Sequence, residues 1–311
     1  MVRIIAAGHV NWDVTLRVAS LPDPDGEAQI TSQHRSGGGS AANVASALAG
    51  FDVPVGLIGS VGDDEHGFLA RRELELDGVD LTGLRVVEDA ATTVKYLVVD
   101  EAGEVMVLAN DGANEAIGPA DVDDAYVRQA THLHLTSQRP ATAERLVELA
   151  DAGDSTVSFD PGRRIDERDY GDLLDRVDVL FLNDREAVEA LPQDTEDPSE
   201  FVQATGRVLV VKHGAAGATV FTPSGTFDHP GFGVDQVDTT GAGDAFAAGF
   251  LAVLVGELDF ADIGDADGDY ERALEVANAC GALAACEEGA RTAPDLEGLR
   301  SFLDEQFRAA E

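Results

Sequence analysis

The sequence predicts an α/β fold whose central sheet is mostly parallel and is covered by helices on both faces. Short apolar runs rich in β-branched residues alternate with longer runs of helical periodicity through most of the 311 residues. Glycine-rich or polar clusters follow several of the apolar runs, where the binding loops of such sheets lie. Strands that are separated by helices pair in parallel, and a parallel sheet needs apolar cover on both faces.

The individual elements follow from this alternation. Strands are predicted at 3–7, 55–58, 133–135, 156–159, 179–182 and 208–212. Helices are predicted at 41–49, 68–76, 141–151 and 187–191. The clusters expected to meet at one edge of the sheet are 8–13, 183–186, 213–217 and 238–244. The acidic stretch at 256–269 is expected to be a solvated loop.

Two stretches, 13–35 and 92–109, break the rhythm of strand and helix. Polar and apolar residues alternate at 13–18 and 93–99, and turns replace helices between these runs. Alternation with a period of two is typical of strands with one buried face. We therefore predict a small β-sheet lid that is inserted into a single α/β domain spanning 1–311.

The charge of the chain is extreme. There are 21 basic and 59 acidic residues, which gives −38, and only Lys95 and Lys212 are lysines. Acids are spread along the whole chain, and 44% of the residues are hydrophobic, which is enough for a core. This pattern indicates a folded, halophilic enzyme, and it argues against nucleic acids and anionic membranes as partners. With no apolar run of membrane-spanning length and no signal-peptide pattern, a cytoplasmic protein is expected.

We expect the fold to depend on high salt, because cations screen the repulsion among the acidic side chains. Dialysis from molar into millimolar KCl should abolish the helical circular dichroism signal. An unchanged spectrum would contradict this interpretation.

The most informative loop is the sequence DTTGAGD at 238–244, which opens a long apolar run with helical spacing. Small residues allow close backbone approach, and the first turn of a helix offers N–H groups that bind anions. Asp244 would repel a bound phosphate, but it suits the role of a base that takes a proton from an incoming hydroxyl. The alternative is an ordinary glycine-rich turn with Asp244 in a favourable first-turn position.

A second glycine-rich loop, GGGSAAN at 37–43, also leads into a predicted helix. It fits the loose dinucleotide pattern G-x-G-x-x-A, and the acids Asp63 and Asp64 lie about twenty residues further on. No buried apolar strand precedes the loop, however, and a dehydrogenase would leave 238–244 unexplained. A P-loop is excluded because its lysine-containing pattern does not occur in the sequence.

Together, the stretches GGSAANVA at 38–45 and DTTGAGD at 238–244 resemble the two signatures of the ribokinase-like (PfkB) carbohydrate kinase family. The resemblance extends from 8–13 to 278–290. It implies a ribokinase-like fold, ATP as the phosphoryl donor and Mg²⁺ as a cofactor. By this resemblance Asp244 is the catalytic base, and Gly241, Ala242 and Gly243 form the anion hole for the transferring phosphoryl group.

The resemblance also implies residues that bind substrate, nucleotide and ions. The positions that contact substrate hydroxyls are Asn11, Asp13, Gly38, Gly39 and Asn43. The N-x-x-E element that arranges Mg²⁺ and its waters is Asn183 with Glu186. The positions along ATP are Lys212, His213, Gly214 and Gly217, with Asn278 near adenine. The monovalent-cation loop of potassium-activated members corresponds to Asp235 and Val237, with carbonyls near Ala284, Glu287 and Gly289.

Several of these residues have ordinary structural interpretations. Asp13 and Asn43 could serve as capping residues, and Glu186 could be one more surface acid among 59. His132 and His134 share one face of a predicted strand, but no third metal ligand accompanies them at a suitable spacing. We interpret them as ordinary strand histidines.

The acceptor is less clearly indicated than the reaction. Ser40 stands where ribokinase has a lysine, and the sequence TSQR at 136–139 replaces a segment with a substrate-binding glutamate, which argues against a ribose-specific pocket. The cations of the predicted lid are few, so a second phosphate on the substrate lacks an obvious clamp; Arg139, Arg163 and Arg164 are the remaining candidates.

We therefore expect an ATP-dependent kinase that acts on a free sugar or sugar acid. The alternative is a nucleoside kinase of the same family, and less favoured is a non-catalytic sugar-binding module. A homodimer through the lid is also expected, because the lid doubles as a dimer contact in relatives.

Overall fold

The computed structural model describes residues 2–102, 104–192, 195, 197–256, 258 and 269–310. The strands are β1 (Ile4–Ala7), β2 (Asn11–Val18), β3 (Ile30–Gly38), β4 (Val55–Gly62), β5 (Leu84–Val87), β6 (Thr93–Val99), β7 (Val105–Ala109), β8 (His132–Thr136), β9 (Thr156–Asp160), β10 (Val179–Asn183), β11 (Val208–Lys212), β12 (Ala218–Thr222) and β13 (Gly225–His229). The helices are α1 (Ser40–Gly50), α2 (Glu65–Asp77), α3 (Asp124–Val127), α4 (Pro140–Ala152), α5 (Leu173–Arg176), α6 (Asp184–Ala190), α7 (Pro198–Thr205), α8 (Ala242–Leu254), α9 (Asp269–Ala284) and α10 (Leu296–Ala310).

The larger sheet has nine strands in the order β13-β12-β11-β10-β9-β8-β1-β4-β5. The seven strands from β11 to β5 pair in parallel, and β12 and β13 extend one edge in antiparallel fashion. All six predicted strands lie in the parallel part. The predicted fold class, a mostly parallel sheet between helices, is confirmed.

Both faces of this sheet are buried, as the alternation along β1 shows. Ile4 and Ala6 belong to a core that includes residues of α1, α8, α9 and α10. Ile5 and Ala7 belong to a second core, on the other face, that includes residues of α4 and α7. Because successive side chains of a strand point to opposite faces, a continuous apolar run is required at this position.

The smaller sheet, called the lid here, has four strands in the order β3-β2-β6-β7. The β2–β3 and β6–β7 pairs are antiparallel, and β2 pairs with β6 in parallel. The two stretches that break the sequence rhythm therefore form one sheet. The lid strands also reach further than predicted, because β2 begins at Asn11 and β3 ends at Gly38. Asn11 and Gly38, both expected in loops, thus lie opposite each other in the β2–β3 pair.

Two differences from the sequence predictions concern helices. The helix predicted at 187–191 begins earlier, at Asp184, because Asn183 and Glu186 form a reciprocal capping box there. The acidic loop predicted at 256–269 falls, apart from Gly256, Leu258 and the start of α9, outside the described residues. Among the helices that the structure describes, none is long and apolar enough to cross a membrane.

Candidate active site

The carboxyl ends of the parallel strands bring polar side chains from distant parts of the chain to one edge of the sheet. Thr136 at the end of β8 is paired with Asp160 at the end of β9. Asn183 at the end of β10 is paired with Lys212 at the end of β11. Ligands of open α/β sheets bind at this edge, so the strand ends define the candidate site.

The floor of the site is formed by an ion pair between the ends of two strands. Lys212 Nζ lies 2.6 Å from Asp160 Oδ2, and the two side chains are 16% and 13% exposed. Burial alone would lower the pKa of Lys212, but the nearby carboxylates of Asp160, Glu186 and Asp244 raise it. Lys212 is therefore a fixed positive charge among three acids at the edge of the sheet.

The loop at 238–244 is held in a conformation that only glycine accommodates at Gly241. This residue has φ 79° at the N-terminus of α8, and a Cβ there would lie 2.1 Å from the carbonyl oxygen of Ala290. Asp238 fixes the loop from the other side, since its carboxylate accepts hydrogen bonds from Thr240 N and Gly289 N at 2.9 and 3.2 Å. The loop therefore presents the first turn of a buried helix toward Lys212, whose Nζ would be 3.6 Å from a Cβ at Gly243.

Asp244 lies in that first turn and is partly buried. Its Oδ2 accepts a 2.7 Å hydrogen bond from Asn43 Nδ2 on α1. Burial raises the pKa of Asp244 to about 6; the hydrogen bond from Asn43 lowers the pKa, Asp160 raises it, and Lys212 and Lys95 lower it. A carboxylate with such a pKa accepts protons efficiently near neutral pH.

The predicted acceptor residues meet beside Asp244. The carboxylate of Asp13 lies directly against Gly38, where an added Cβ would be 2.2 Å from Oδ2. Gly39 has φ 95° at the start of α1, and a Cβ there would be 2.4 Å from the carbonyl oxygen of His9. Burial raises the pKa of Asp13, and the charges of Lys95 and Arg291 oppose this. The structure therefore brings both glycine-rich signatures together.

Three side chains in this pocket carry buried polar atoms that have no hydrogen-bond partner among the described residues. These atoms are Asn11 Nδ2, Asp13 Oδ1 and Asn43 Oδ1. The other end of the Asn11 amide is fixed, because its Oδ1 accepts a 2.6 Å hydrogen bond from Asn114 Nδ2. Buried polar groups in native proteins are almost always satisfied. One donor and two acceptors converging in a pocket are what neighbouring hydroxyl groups of a sugar require.

We expect Gly38→Ala to weaken acceptor binding without unfolding the chain. The new methyl group would displace the Asp13 carboxylate, while the backbone of Gly38 is not in the left-handed region. Loss of one hydrogen bond to a charged group corresponds to about a tenfold rise in the acceptor KM. Gly50→Ala is the matched control, because its Cβ would meet nothing closer than 3.8 Å. An unchanged acceptor KM in Gly38→Ala would show that Asp13 does not bind the acceptor.

The predicted magnesium element forms a helix cap. Glu186 Oε2 accepts from Asn183 N at 3.0 Å, and Asn183 Oδ1 accepts from Glu186 N at 2.9 Å. Glu186 is buried, and this burial raises its pKa, as does the charge of Asp160. Within the described residues no group of three or more His, Cys, Asp or Glu side chains is arranged to hold a metal. The carboxylates of Asp160 and Glu186 nevertheless fit a cation held through water, because Mg²⁺ keeps several of its waters.

The loop after β11 has the open backbone expected beside a nucleotide. Gly214 and Gly217 have φ 62° and 91°, and a Cβ at Gly217 would lie 1.8 Å from the carbonyl oxygen of His229. His213 Nδ1 lies 2.6 Å from Asp184 Oδ1, which joins this loop to α6. Asn278 is buried in α9, and its Nδ2 donates to Leu274 O on its own helix at 2.7 Å.

The two segments of the predicted monovalent-cation loop are in contact. Val237 N donates to Ala285 O at 2.8 Å. The carbonyl oxygens of Ala284 and Gly289 accept from Thr292 Oγ1 at 2.9 and 3.4 Å. The side chains of Asp235 and Glu287 are exposed. These contacts join the two segments, and the carbonyl oxygens of Ala284, Ala285 and Gly289 already accept hydrogen bonds.

The strand histidines are structural. His132 contacts the hydroxyls of Thr156 and Ser158, and His134 contacts that of Ser158, at 2.7 to 2.8 Å. Burial lowers the pKa of His132 to about 3 and that of His134 to about 4, so both are neutral.

Sequence reasoning missed Asp160, Asn114, Glu115 and Arg168. Asp160 follows a predicted strand directly, so the strand-end rule could have found it. Asn114 and Glu115 lie in a loop after β7 and carry no signal beyond the preceding Gly112. Glu115 forms ion pairs with His9, Arg139 and Arg168, which are far from it in the chain.

Comparison with known proteins agrees with the fold described above. The model of the pfkB family of carbohydrate kinases matches residues 1–296, so the chain belongs to this family. The ATP-dependent ribose-1-phosphate kinase of Halopiger xanaduensis is 59% identical over 309 residues, which cover 99% of this chain and 100% of that protein. The chain is thus an ATP-dependent carbohydrate kinase, a phosphotransferase with an alcohol group as acceptor.

Two solved structures support the fold. The ribokinase of Arabidopsis thaliana, complexed with ribose and ATP, superposes with a TM-score of 0.84 at 24% identity, covering 97% of this chain and 99% of that one. A ribokinase-like protein of E. coli bound to ATP and Mg²⁺ gives 0.83 at 23% identity, covering 98% and 100%. At these identities the likeness concerns the fold alone.

Proposed function

We propose that the chain transfers the γ-phosphoryl group of ATP to a hydroxyl of ribose 1-phosphate. The observation that carries this proposal is the 59% identity, over the full length of both chains, to a kinase named for that substrate. The unpartnered atoms of Asn11, Asp13 and Asn43 support a ribosyl acceptor, since they offer one donor and two acceptors to neighbouring hydroxyls.

In this reaction Asp244 accepts the proton of the attacking hydroxyl. The hydroxyl oxygen forms a bond to the γ-phosphorus, and the bond from that phosphorus to the bridging oxygen of ADP breaks. The N–H groups in the first turn of α8, at Gly241, Ala242 and Gly243, stabilise the charge on the transferring group. Lys212 adds a positive charge beneath Gly243. The role of Asn43 is to hold Asp244 by the hydrogen bond to Oδ2.

On the nucleotide side, we propose that Asn183, Glu186, His213, Gly214, Gly217 and Asn278 line the ATP site. Asp160 and Glu186 would hold Mg²⁺ through water, and the ion would neutralise charge on the phosphates. The carbonyl oxygens of the 235–238 and 284–289 segments would bind K⁺. Replacing KCl by NaCl at equal molarity tests this cation proposal.

A free sugar or sugar acid is the second candidate acceptor. The specific observation in its favour is the scarcity of available cations on the lid: Arg17 is already paired with Glu288 at 2.7 Å, and Lys95 acts on Asp13 and Asp244. The two candidates differ in whether the acceptor already carries a phosphate before phosphoryl transfer.

Release of ADP, measured by a coupled assay in molar KCl, separates these candidates. The acceptors to compare are ribose 1-phosphate, ribose, fructose, 2-keto-3-deoxygluconate, adenosine, inosine and cytidine. The highest kcat/KM is expected with ribose 1-phosphate. A higher value with ribose or a sugar acid would establish the free-sugar candidate, and a higher value with a nucleoside would make the chain a nucleoside kinase.

We also propose that the lid pairs with a second copy of the chain. The two edge strands of the lid expose apolar side chains, with Ile30 on β3 and Val105, Val107 and Leu108 on β7 each at least half exposed. Sedimentation in molar KCl should show a dimer, and Val107→Asp should dissociate it if the interface lies there.

A further inference from the structure

A cluster of charged side chains adjoins the acceptor pocket and has no part in the chemistry described above. It consists of His9, Glu115, Arg139 and Arg168 and is called the Glu115 cluster here. His9 follows β1, Arg139 follows β8, and Arg168 lies beyond the turn that follows β9. The carboxyl ends of three parallel strands thus converge on one carboxylate.

The cluster is joined to the pocket through the chain and through hydrogen bonds. Asn114, the residue before Glu115, donates to Asn11 Oδ1 at 2.6 Å and accepts from Val10 N at 3.2 Å. Asn11 and Asp13 point to the same face of β2, because they are two residues apart on one strand. Asn11, whose Nδ2 has no partner among the described residues, is therefore hydrogen-bonded to the residue next to Glu115.

Positive charge exceeds negative charge in this cluster. Glu115 Oε1 accepts from His9 Nε2 at 2.8 Å and from Arg168 Nη2, while Arg139 Nε lies 3.5 Å from Oε2. Burial raises the pKa of Glu115, but these hydrogen bonds and charges lower it to about 2. One carboxylate thus faces two guanidinium groups, which leaves about one positive charge even when His9 is neutral. Such an excess stands out in a chain of net charge −38.

Arg168 also carries an unused donor. Its side chain is only 11% exposed, and its Nη1 is buried with no hydrogen-bond partner among the described residues. Glu115 and Tyr170 hold the guanidinium group in place. A guanidinium group that is already oriented and partly dehydrated binds a phosphate with little loss of side-chain entropy.

We propose that Arg168, supported by His9 and Arg139 around Glu115, binds the phosphate that the acceptor carries before phosphoryl transfer. The proposal rests on the proposed function, since it assigns a site to the phosphate of ribose 1-phosphate. The phosphate site formed by Arg168, His9 and Arg139, called the clamp here, lies at the strand ends of the larger sheet. A phosphorylated sugar can therefore bind even though the lid has few available cations. Arg168 then determines the choice between a sugar phosphate and a free sugar.

The test compares Arg168→Gln with wild type in the full chain, in molar KCl. We expect kcat/KM for ribose 1-phosphate to fall about 10- to 100-fold, the range for a lost hydrogen bond to a charged group. The KM for ATP and kcat/KM for ribose should stay within about twofold, because ribose lacks the phosphate. Arg168→Lys keeps the charge but loses the planar guanidinium group, so its kcat/KM for ribose 1-phosphate should lie between those of wild type and Arg168→Gln. Arg176→Gln, which disrupts a surface ion pair with Asp151, is the matched control.

Binding of ribose 1-phosphate without nucleotide, measured by calorimetry, provides a readout independent of turnover. Wild type and Arg176→Gln should bind it, and Arg168→Gln should bind it at least about tenfold more weakly. Equal losses for ribose and ribose 1-phosphate, or no loss, would overturn the role of Arg168. If ribose 1-phosphate bound in an Arg168-dependent way but was not phosphorylated, the proposed substrate would be wrong, while the role of Arg168 in binding phosphate would be supported. If Arg168→Gln fails to fold, calorimetric titration of Arg168→Lys with ribose 1-phosphate takes its place. An affinity equal to that of wild type would then overturn the proposal.

Discussion

Asp244→Asn is expected to lower kcat by about 10²- to 10⁴-fold, the contribution of a positioned general base. The amide has nearly the shape of the carboxylate, and its oxygen can still accept the 2.7 Å hydrogen bond from Asn43. The substitution therefore removes proton acceptance and leaves the packing of α8 unchanged. Coupled ADP release with saturating acceptor measures the effect. Equal rates for the variant and wild type would exclude Asp244 as the base.

The pH dependence of the wild type follows from the same carboxylate. Since the pKa of Asp244 is raised to about 6, kcat/KM should fall as the pH drops below that value, where Asp244 becomes protonated. Asn43→Ala removes the hydrogen bond that lowers this pKa, so the midpoint should move to higher pH. Ser46→Ala, on the same helix, is the control. A midpoint that stays in place in Asn43→Ala would contradict the coupling of the two residues.

The raised pKa also has a consequence for stability. The native pKa of Asp244 lies above the ordinary 3.8, so the native state holds a proton that the unfolded state has released between about pH 4 and 6. Stability from this group is therefore present at low pH and is lost as the pH rises through 6. Asp244→Asn should raise the melting temperature at pH 8, and the gain should disappear toward pH 4. If Asp244→Asn raised the melting temperature equally at all pH values, the ionisation of a buried Asp244 would not be the cause.

Lys212→Met is expected to destabilise the fold by about 3–5 kcal/mol, the cost of leaving a buried charge without its partner. The methionine side chain fills a similar volume, but Asp160 would lose the 2.6 Å contact that compensates its burial. Urea unfolding at constant KCl concentration measures the change. A loss of less than about 1 kcal/mol would indicate that the pair behaves as a surface ion pair.

A second substitution separates the charge from the packing. Asp160→Asn combined with Lys212→Met removes both members of the ion pair, and it should recover much of the lost stability because Asp160 no longer carries a buried charge without its partner. Arg207→Met is the matched control, since its pair with Asp178 is about one third exposed on both sides and should be worth about 0–1 kcal/mol. If the double variant is as unstable as Lys212→Met, the loss does not come from the unpaired charge of Asp160.

Much of the fold could be predicted because its signals are local. The apolar runs of β1 and β11 are continuous, since each strand is buried on both faces, whereas β2 and β6 alternate because the lid is half exposed. The start of α6 was also readable, since an asparagine three residues before a glutamate is a capping signature. The same pair is predicted to arrange Mg²⁺, and the structure shows that it also caps α6.

The acceptor side of the site could be predicted only in part. Asp13 and Asn43 lie in recognisable motifs, whereas Asp160 is one acid among 59; its position directly after a predicted strand is a weak signal, and its contact with Lys212 is seen only in the structure. Glu115 and Arg168 are 53 positions apart, and nothing in either local sequence indicates their contact. The few cations of the lid favour a free sugar as acceptor, whereas the proposed phosphate site lies outside the lid and includes only Arg139 of the arginines that the sequence suggests.

The hydrogen bond between Asn43 and Asp244 joins two helices of the main body, whereas Asn11, Asp13 and Gly38 belong to strands of the lid. In the proposed mechanism the base and its helix belong to the main body, whereas part of the acceptor pocket belongs to the lid; Asn43 contributes to both. Substitutions in the lid strands and in the Glu115 cluster can exchange one acceptor for another while the base and its helix stay as they are. Such a division allows new substrates to arise by a few changes without rebuilding the catalyst.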